Sequence, residues 1–257
     1  MTIMKLSVLA SASVLVLALV AGAHAEDKTI KIATEGVYPP FNYVENGKLT
    51  GFDVDIANAL CEKAKLKCEI VTQEWDGMIP GLMASKYDAI IASMNITAER
   101  KKKIDFTTKY YDTPAKFMAT KDAKVTDISP AALAGKTIGV QGSTTQQNFL
   151  EAKYKDSTIK TYTTVDDASA DLAAGRLDFV LSDKVLLDAW LKKSSDGSCC
   201  ELVGDDLRDP IFGEGKGVGI RKDDTELKNK FQKAIDDIRA DGTYEKINTK
   251  YFPFSIF

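Results

Sequence analysis

Arg100 is the residue in this chain whose setting most suggests an anion-binding site. It lies in "AIIASMNITAERKKKIDFT", residues 89–107, where an apolar run from Ala89 to Met94 yields to Asn95 and Thr97, then to one arginine and three lysines. A guanidinium presents a planar fork of donors that fits a carboxylate, and it keeps its charge. Two readings are open. In one, Glu99 to Lys103 is the solvated start of a helix, as most charge runs are. In the other, Arg100 faces a cleft and only the lysines face water.

Other polar residues fall at comparable places. Glu35 ends an apolar stretch; Ser93 and Asn95 precede Arg100; Ser143, Thr144 and Thr145 follow "TIGV"; Asp183 follows "FVLS". In open α/β sheets, ligands sit beyond the carboxyl ends of the strands. A helix starting at Thr144 or Thr145 also offers free backbone N–H groups to a carboxylate. Each residue has a plainer reading: Glu35 as a solvated turn residue, Asp183 as the cap of helix "KVLLDAW", Tyr38 and Trp75 as core aromatics.

The elements that would carry these groups alternate. "TIKIATEG" predicts a strand and glycine turn, and "GFDVDIANALCEKAK" a helix with Phe52, Ile56 and Leu60 on one face. "CEIVTQ" follows as a strand, "WDGMIPGLMASK" as a helix entered near Trp75, and "YDAIIASM" as a buried strand. The pattern restarts with strand "KTIGVQGS", helices "TTQQNFLEAKY" and "ASADLAAG", strand "RLDFVLSD" and helix "KVLLDAWLKK". "SSDGSCCELVGDDLRDP" reads as a loop. The chain closes with strand "GKGVGIRK", a helix lined by Leu227, Phe231, Ile235 and Ile238, and the short helix "TYEKINTKYF". Alternation of this kind predicts βαβ units, mostly parallel sheets, and two lobes joined through two crossings. "GVQGSTT" lacks the lysine that a nucleotide phosphate loop needs.

Composition narrows the chemistry. Lys5, the apolar run "LSVLASASVLVLALVAG" and "AHA" predict a secretory signal, residues 1–25, cleaved after Ala25. That cut removes the single histidine, His24, and with it any Ser-His-Asp or Cys-His mechanism. It also removes Lys5, taking the formal net charge from −3 to −4, which disfavours nucleic acid and anionic membranes as partners. The four cysteines, in an oxidising compartment, suggest disulfides. Cys61, late in a helix, and Cys68, opening a strand, are the favoured pair. Adjacent Cys199 and Cys200 form a vicinal ring or stay reduced.

The motifs "ATEGVYPPFNY", "GFDVDIANALC", "WDGMIPGLMASKYDAIIASMNITAERKKKIDFT", "GVQGSTT", "AAGRLDFVLSD" and "ADGTYEKINTKYF" stand in the order found in periplasmic amino-acid-binding proteins of ABC importers. The chain resembles most the lysine/arginine/ornithine- and histidine-binding group of solute-binding protein family 3. The resemblance implies a two-lobed α/β periplasmic-binding-protein fold, each lobe a mixed, mostly parallel sheet flanked by helices, with a two-strand hinge. Lobe 1 would comprise residues 26–112 and 215–257, and lobe 2 residues 113–214. It further implies that Arg100 holds a ligand α-carboxylate, helped by Thr145 and Asn95. Asp183, with Ser93, would take the α-ammonium; Tyr38 and Trp75 would sandwich the side chain; Glu35 would meet its far end. Ala92 and Asn95 stand where relatives often carry serine.

The implied function is capture of a basic L-amino acid, arginine before lysine or ornithine, for an inner-membrane ABC permease. Histidine, glutamine or an opine is the alternative ligand, and a periplasmic dehydratase on the same fold the alternative class. A tethered sensor is a third class. The protein is expected to act in the periplasm as a monomer without cofactor, metal or nucleic acid.

Overall fold

The computed structural model describes residues 28–257; the signal expected over residues 1–25 lies outside them. In chain order the elements are β1 (Ile30–Thr34), β2 (Val37–Tyr38), β3 (Asn42–Glu45), β4 (Lys48–Thr50), α1 (Phe52–Ala64), β5 (Cys68–Thr72), α2 (Met78–Met83), β6 (Ala89–Ile90), α3 (Ala98–Lys103) and β7 (Asp105–Tyr111). There follow β8 (Ala115–Thr120), β9 (Thr137–Gln141), α4 (Thr145–Lys153), β10 (Thr158–Tyr162), α5 (Val165–Ala173), β11 (Phe179–Asp183), α6 (Lys184–Lys193), β12 (Cys200–Leu207), β13 (Lys216–Ile220), α7 (Thr225–Ala240) and α8 (Thr243–Tyr251).

Two five-stranded sheets result, in the orders β5-β1-β6-β13-β7 and β10-β9-β11-β8-β12. β5, β1 and β6 run parallel, as do β10, β9 and β11. β13 is antiparallel to β6 and β7, and β8 to β11 and β12. A small antiparallel sheet, β2-β3-β4, lies beside the first. The chain passes between the large sheets twice, from Tyr111 to Ala115 and from Leu207 to Lys216.

Apolar periodicity explains the packing. Phe52, Ile56 and Leu60 of α1 share a buried cluster with Leu227, Phe231, Ile235 and Ile238 of α7, and together they cover one face of the first sheet. The other face buries Met78, Leu82 and Ile90. The second sheet likewise has a buried cluster on each side.

Three local expectations are corrected. The helix expected to begin near Trp75 is a 3₁₀ turn, Trp75–Gly77, before the short α2. The strand read over "YDAIIASM" is a strand only at Ala89–Ile90, and beyond it Ser93 adopts a left-handed φ of 55°. The loop read over "SSDGSCCELVGDDLRDP" contains β12, an edge strand in which Glu201, Asp205 and Asp206 are exposed. Those charges hid its alternation, and they suit an edge, where charge discourages pairing with another chain.

α1 ends at Lys65 in the left-handed conformation, and the chain folds straight back into β5. This brings the Cα atoms of Cys61 and Cys68 to 6.2 Å, and the two form a disulfide; Cys199 and Cys200 are also joined. Replacing Cys61 and Cys68 together by serine should cost about 2.5 kcal/mol, the loop-closure entropy of so short a loop. For a chain of this size that is a fall in Tm of roughly 5–10 °C, checked by calorimetry.

Candidate functional site

The polar groups gather where the carboxyl ends of both sheets' central strands meet. The return segment into β13 is stitched to the chain before Arg100. Ile96 donates its N–H to Gly215 O at 2.8 Å, Glu214 donates to Ile96 O at 3.0 Å, and Gly217 donates to Met94 O at 3.1 Å. Gly213 permits this approach: its φ is 85°, and a Cβ there would stand 2.1 Å from the Ile96 carbonyl oxygen. Asn95 is thereby paired with Lys216 across the backbone.

A cavity opens here. Glu35, Tyr38, Trp75, Ser93, Asn95, Arg100 and Thr145 all line it, together with Gln141, Gln146 and Lys216. The walls touch across the gap between sheets. Asn95 Nδ2 donates to Thr145 Oγ1 at 2.7 Å, and Gln141 Nε2 donates to Glu35 Oε1 at 2.6 Å. Ser143 sits in the left-handed region, φ 57°, which turns its carbonyl oxygen to accept from Trp75 Nε1 at 3.2 Å and Arg100 Nη2 at 3.3 Å. Non-glycine residues in that region store strain, and two of them, Ser93 and Ser143, flank one site.

Arg100 enters the cavity from α3. The Thr97 hydroxyl caps that helix by accepting from the Arg100 backbone N–H at 3.2 Å. The guanidinium donates Nη1 to Asn95 O at 2.9 Å and lies 5.2 Å from the Trp75 ring centroid. Burial pushes its pKa down to about 10, so the charge survives at neutral pH. Among the described residues no carboxylate forms an ion pair with it. The lysines behave as the solvated part of the run: Lys101 pairs with Glu214 and Lys102 with Glu99.

Glu35 differs. Burial, opposed by the Gln141 hydrogen bond and helped by Asp76, pushes its pKa up to about 7. Trp75 spends its ring on the protein's own Arg100, and Tyr38 packs 6.0 Å from Phe41 at the edge of both sheets' clusters.

Asp183 is not on the cavity wall. It is 1% exposed, caps α6 by accepting from Val185 N–H at 3.0 Å, and accepts from the Thr113 hydroxyl. Lys216 Nζ stands 3.4 Å from its Oδ2.

Three features were missed in the sequence: Gln141, Lys216 and the buried Asp53. Asp53 Oδ2 accepts from Ser93 Oγ and Asn42 Nδ2, both at 2.8 Å, and Oδ1 accepts from Tyr110 OH at 2.8 Å. Asn42 Oδ1 in turn accepts from Gly36 N–H at 2.8 Å, so one carboxyl group orders both Ser93 and the turn after Glu35. A signal for Lys216 existed: it is the one charge inside a strand of small and apolar residues.

The chain matches the model of "Bacterial extracellular solute-binding proteins, family 3" over residues 30–254. It belongs to that family. An L-arginine-binding protein of Pseudomonas aeruginosa is 44% identical over 257 residues, covering 98% of each chain. The lysine/arginine/ornithine-binding periplasmic protein of Escherichia coli K12 is 37% identical, covering 99% of each. Among solved structures, an ancestral arginine-binding protein bound to arginine superposes with a TM-score of 0.80 at 36% identity, covering 87% of this chain and 98% of that one. Among the described residues no helix is long and apolar enough to cross a membrane, and no cluster of side chains suits a metal ion.

Asp53 makes a pH prediction for this family member. Burial pushes its pKa up to about 6 from an ordinary 3.8. A raised carboxyl pKa means the folded state holds the proton more tightly, so stability falls as pH rises from about 4 to 6. Asp53→Asn lacks that titration. Wild-type stability relative to the variant should drop by about 3 kcal/mol across that window in denaturant titrations. A constant difference would show that folding does not raise the Asp53 pKa.

Proposed function

We propose that this solute-binding protein captures a basic L-amino acid, arginine before lysine and ornithine, and hands it to an inner-membrane importer from the periplasm. The observation that supports this most is the charge arrangement of the cavity. Among the described residues, Arg100 offers a guanidinium with no carboxylate against it, and Glu35 an acid with no cation against it. Arginine carries the complement of both, a carboxylate at one end and a guanidinium at the other.

Buried charges are costly unless paired, so each protein group gains from the ligand what the chain itself does not supply. The ring of Trp75 carries the Arg100 guanidinium and so holds the carboxylate end of the site in place. The contacts Asn95–Thr145 and Glu35–Gln141 join the two sheets at the cavity, so a ligand enters when the lobes part and is enclosed when they meet. Such closure turns contact energy into a population shift. The relatives named above are named for binding, and we read this chain as a monomeric carrier and not a dehydratase. Among the described residues Glu35 is the only acid on the cavity wall, and it is assigned to the ligand's cation.

The test is titration calorimetry against the twenty amino acids and ornithine at several pH values. With a Glu35 pKa near 7, only its ionised form meets a cation, and the competent fraction rises about tenfold from pH 6 to pH 8. Arginine affinity should rise by that factor in the wild type and stay flat in Glu35→Gln, which also binds it more weakly. Equal affinity of wild type and variant at pH 8 would remove Glu35 from the ligand site and favour a neutral polar amino acid.

A further inference from the structure

The bond between Cys199 and Cys200 lies outside the ligand cavity, and its surroundings suit a different chemistry. Adjacent Cα atoms stand about 3.8 Å apart across a trans peptide, short of the roughly 4.4–6.8 Å that disulfides usually span. A ring closed against that covalent limit is reduced more easily than one at ordinary spacing, such as Cys61–Cys68 at 6.2 Å.

The two sulfurs differ in access. Cys200 is 3% exposed and shares a buried cluster with Leu186, Leu187 and Trp190 of α6. Cys199 is half-buried and opens on a shallow hollow of about 340 Å³. Ala170, Ala173 and Ala174 at the end of α5 wall that hollow, with Ser195, Asp196 and Ser198. Side chains so small leave room for an approaching sulfur.

The ring also secures the end of α6. The turn from α6 to β12 folds back on the last turn of the helix. Gly197 donates to Ser194 O and Cys199 to Asp196 O, both at 3.1 Å, and a Cβ at Gly197 would stand 2.3 Å from the Leu191 carbonyl oxygen. Cys200 then enters β12 opposite Thr120 of β8. α6 ends at Lys193, whose ammonium reaches across to β3 and stands 5.0 Å from the Tyr43 ring centroid.

We propose that Cys199–Cys200 is a thiol–disulfide exchange site for a dithiol, and that opening the ring weakens ligand capture by releasing the end of α6 from β3. A thiolate of the dithiol attacks Cys199 Sγ. An intermolecular S–S bond forms as the Cys199–Cys200 bond breaks, and Cys200 leaves as a thiolate that takes a proton. The second thiol then attacks the mixed disulfide and frees Cys199. Two electrons and two protons pass to the protein, and the dithiol ends as a disulfide. The opened turn no longer holds Leu191 to Lys193, and the Lys193–Tyr43 contact weakens. An exposed cation–π contact changes an equilibrium by roughly two- to fivefold. Its loss lowers arginine affinity by that factor, a consequence that rests on the basic amino-acid reading.

The experiment titrates the protein with dithiothreitol, quenches with iodoacetamide and maps the alkylated cysteines by mass. Cys199 and Cys200 should react at a reductant concentration at least about tenfold below that needed for Cys61 and Cys68. Cys199→Ser/Cys200→Ser has no ring, so its amides from Leu191 to Ser194 should exchange hydrogen at least about tenfold faster than in the oxidised wild type. It should bind arginine roughly two- to fivefold more weakly, and adding Lys193→Met should cost no more. The wild type reduced only at Cys199–Cys200 gives the same readings if the serine variant folds poorly. Free thiols in the untreated protein, alkylation only together with Cys61 and Cys68, or unchanged exchange or arginine affinity on opening the ring overturns the proposal. A wild type that does not bind arginine overturns the basic amino-acid reading instead, while alkylation and amide exchange still decide the ring.

Discussion

The site is organised around one uncompensated charge. Arg100 carries a guanidinium into the junction of two sheets, where among the described residues it finds two carbonyl oxygens and the face of Trp75 but no carboxylate. Carbonyl oxygens orient a guanidinium without neutralising it. The two acceptors come from opposite sides, Asn95 before α3 and Ser143 before α4, so the orientation depends on how the sheets meet. Left-handed backbone at Ser143 and the stitching of Ile96 to the return segment both serve to place those oxygens. The fold positions a cation, and a ligand anion completes it.

The other charges are graded around that one. Asp53 lies one layer behind the wall and is fully hydrogen-bonded, so it orders Ser93 and the Glu35 turn without meeting a ligand. Glu35 has one hydrogen-bond donor from the opposite sheet and is poised near neutrality by burial. Lys216 and Asp183 face each other across the crossing between sheets, close enough to offset each other's charge and too far apart for a short hydrogen bond. Proteins that close around a ligand need such incomplete pairs: a cavity already satisfied would gain nothing from its contents.

Much of this was legible in the sequence. The period of α1 and α7 named the helices and their buried faces, because burial on one side leaves a stripe. Strand-end residues such as Glu35, Ser93, Asn95, Arg100 and Thr145 were found because α/β sheets present those positions to a shared crevice. What stayed hidden depends on tertiary geometry. Asp53 stands in the first turn of a helix, where acids are common, and only the approach of Tyr110 and Ser93 shows that it is buried. Asp183 could be read as a ligand group or a helix cap, and the structure has it capping α6 behind Lys216. Lys216 was passed over because its neighbours are glycines, valine and isoleucine, which read as a plain buried strand. β12 was lost because an edge strand with exposed charges loses the alternation that marks a half-buried one.

The most direct measurement is the affinity of L-arginine compared with L-argininamide, which keeps the side chain and the α-nitrogen but has no carboxylate. If Arg100 is the anchor, the amide leaves a buried guanidinium unpaired, a loss of about 2–5 kcal/mol. The amide should then bind at least roughly 30-fold more weakly by calorimetry. Equal affinities for the acid and the amide would contradict the account, because the charge on which the cavity is built would then have no part in holding the ligand.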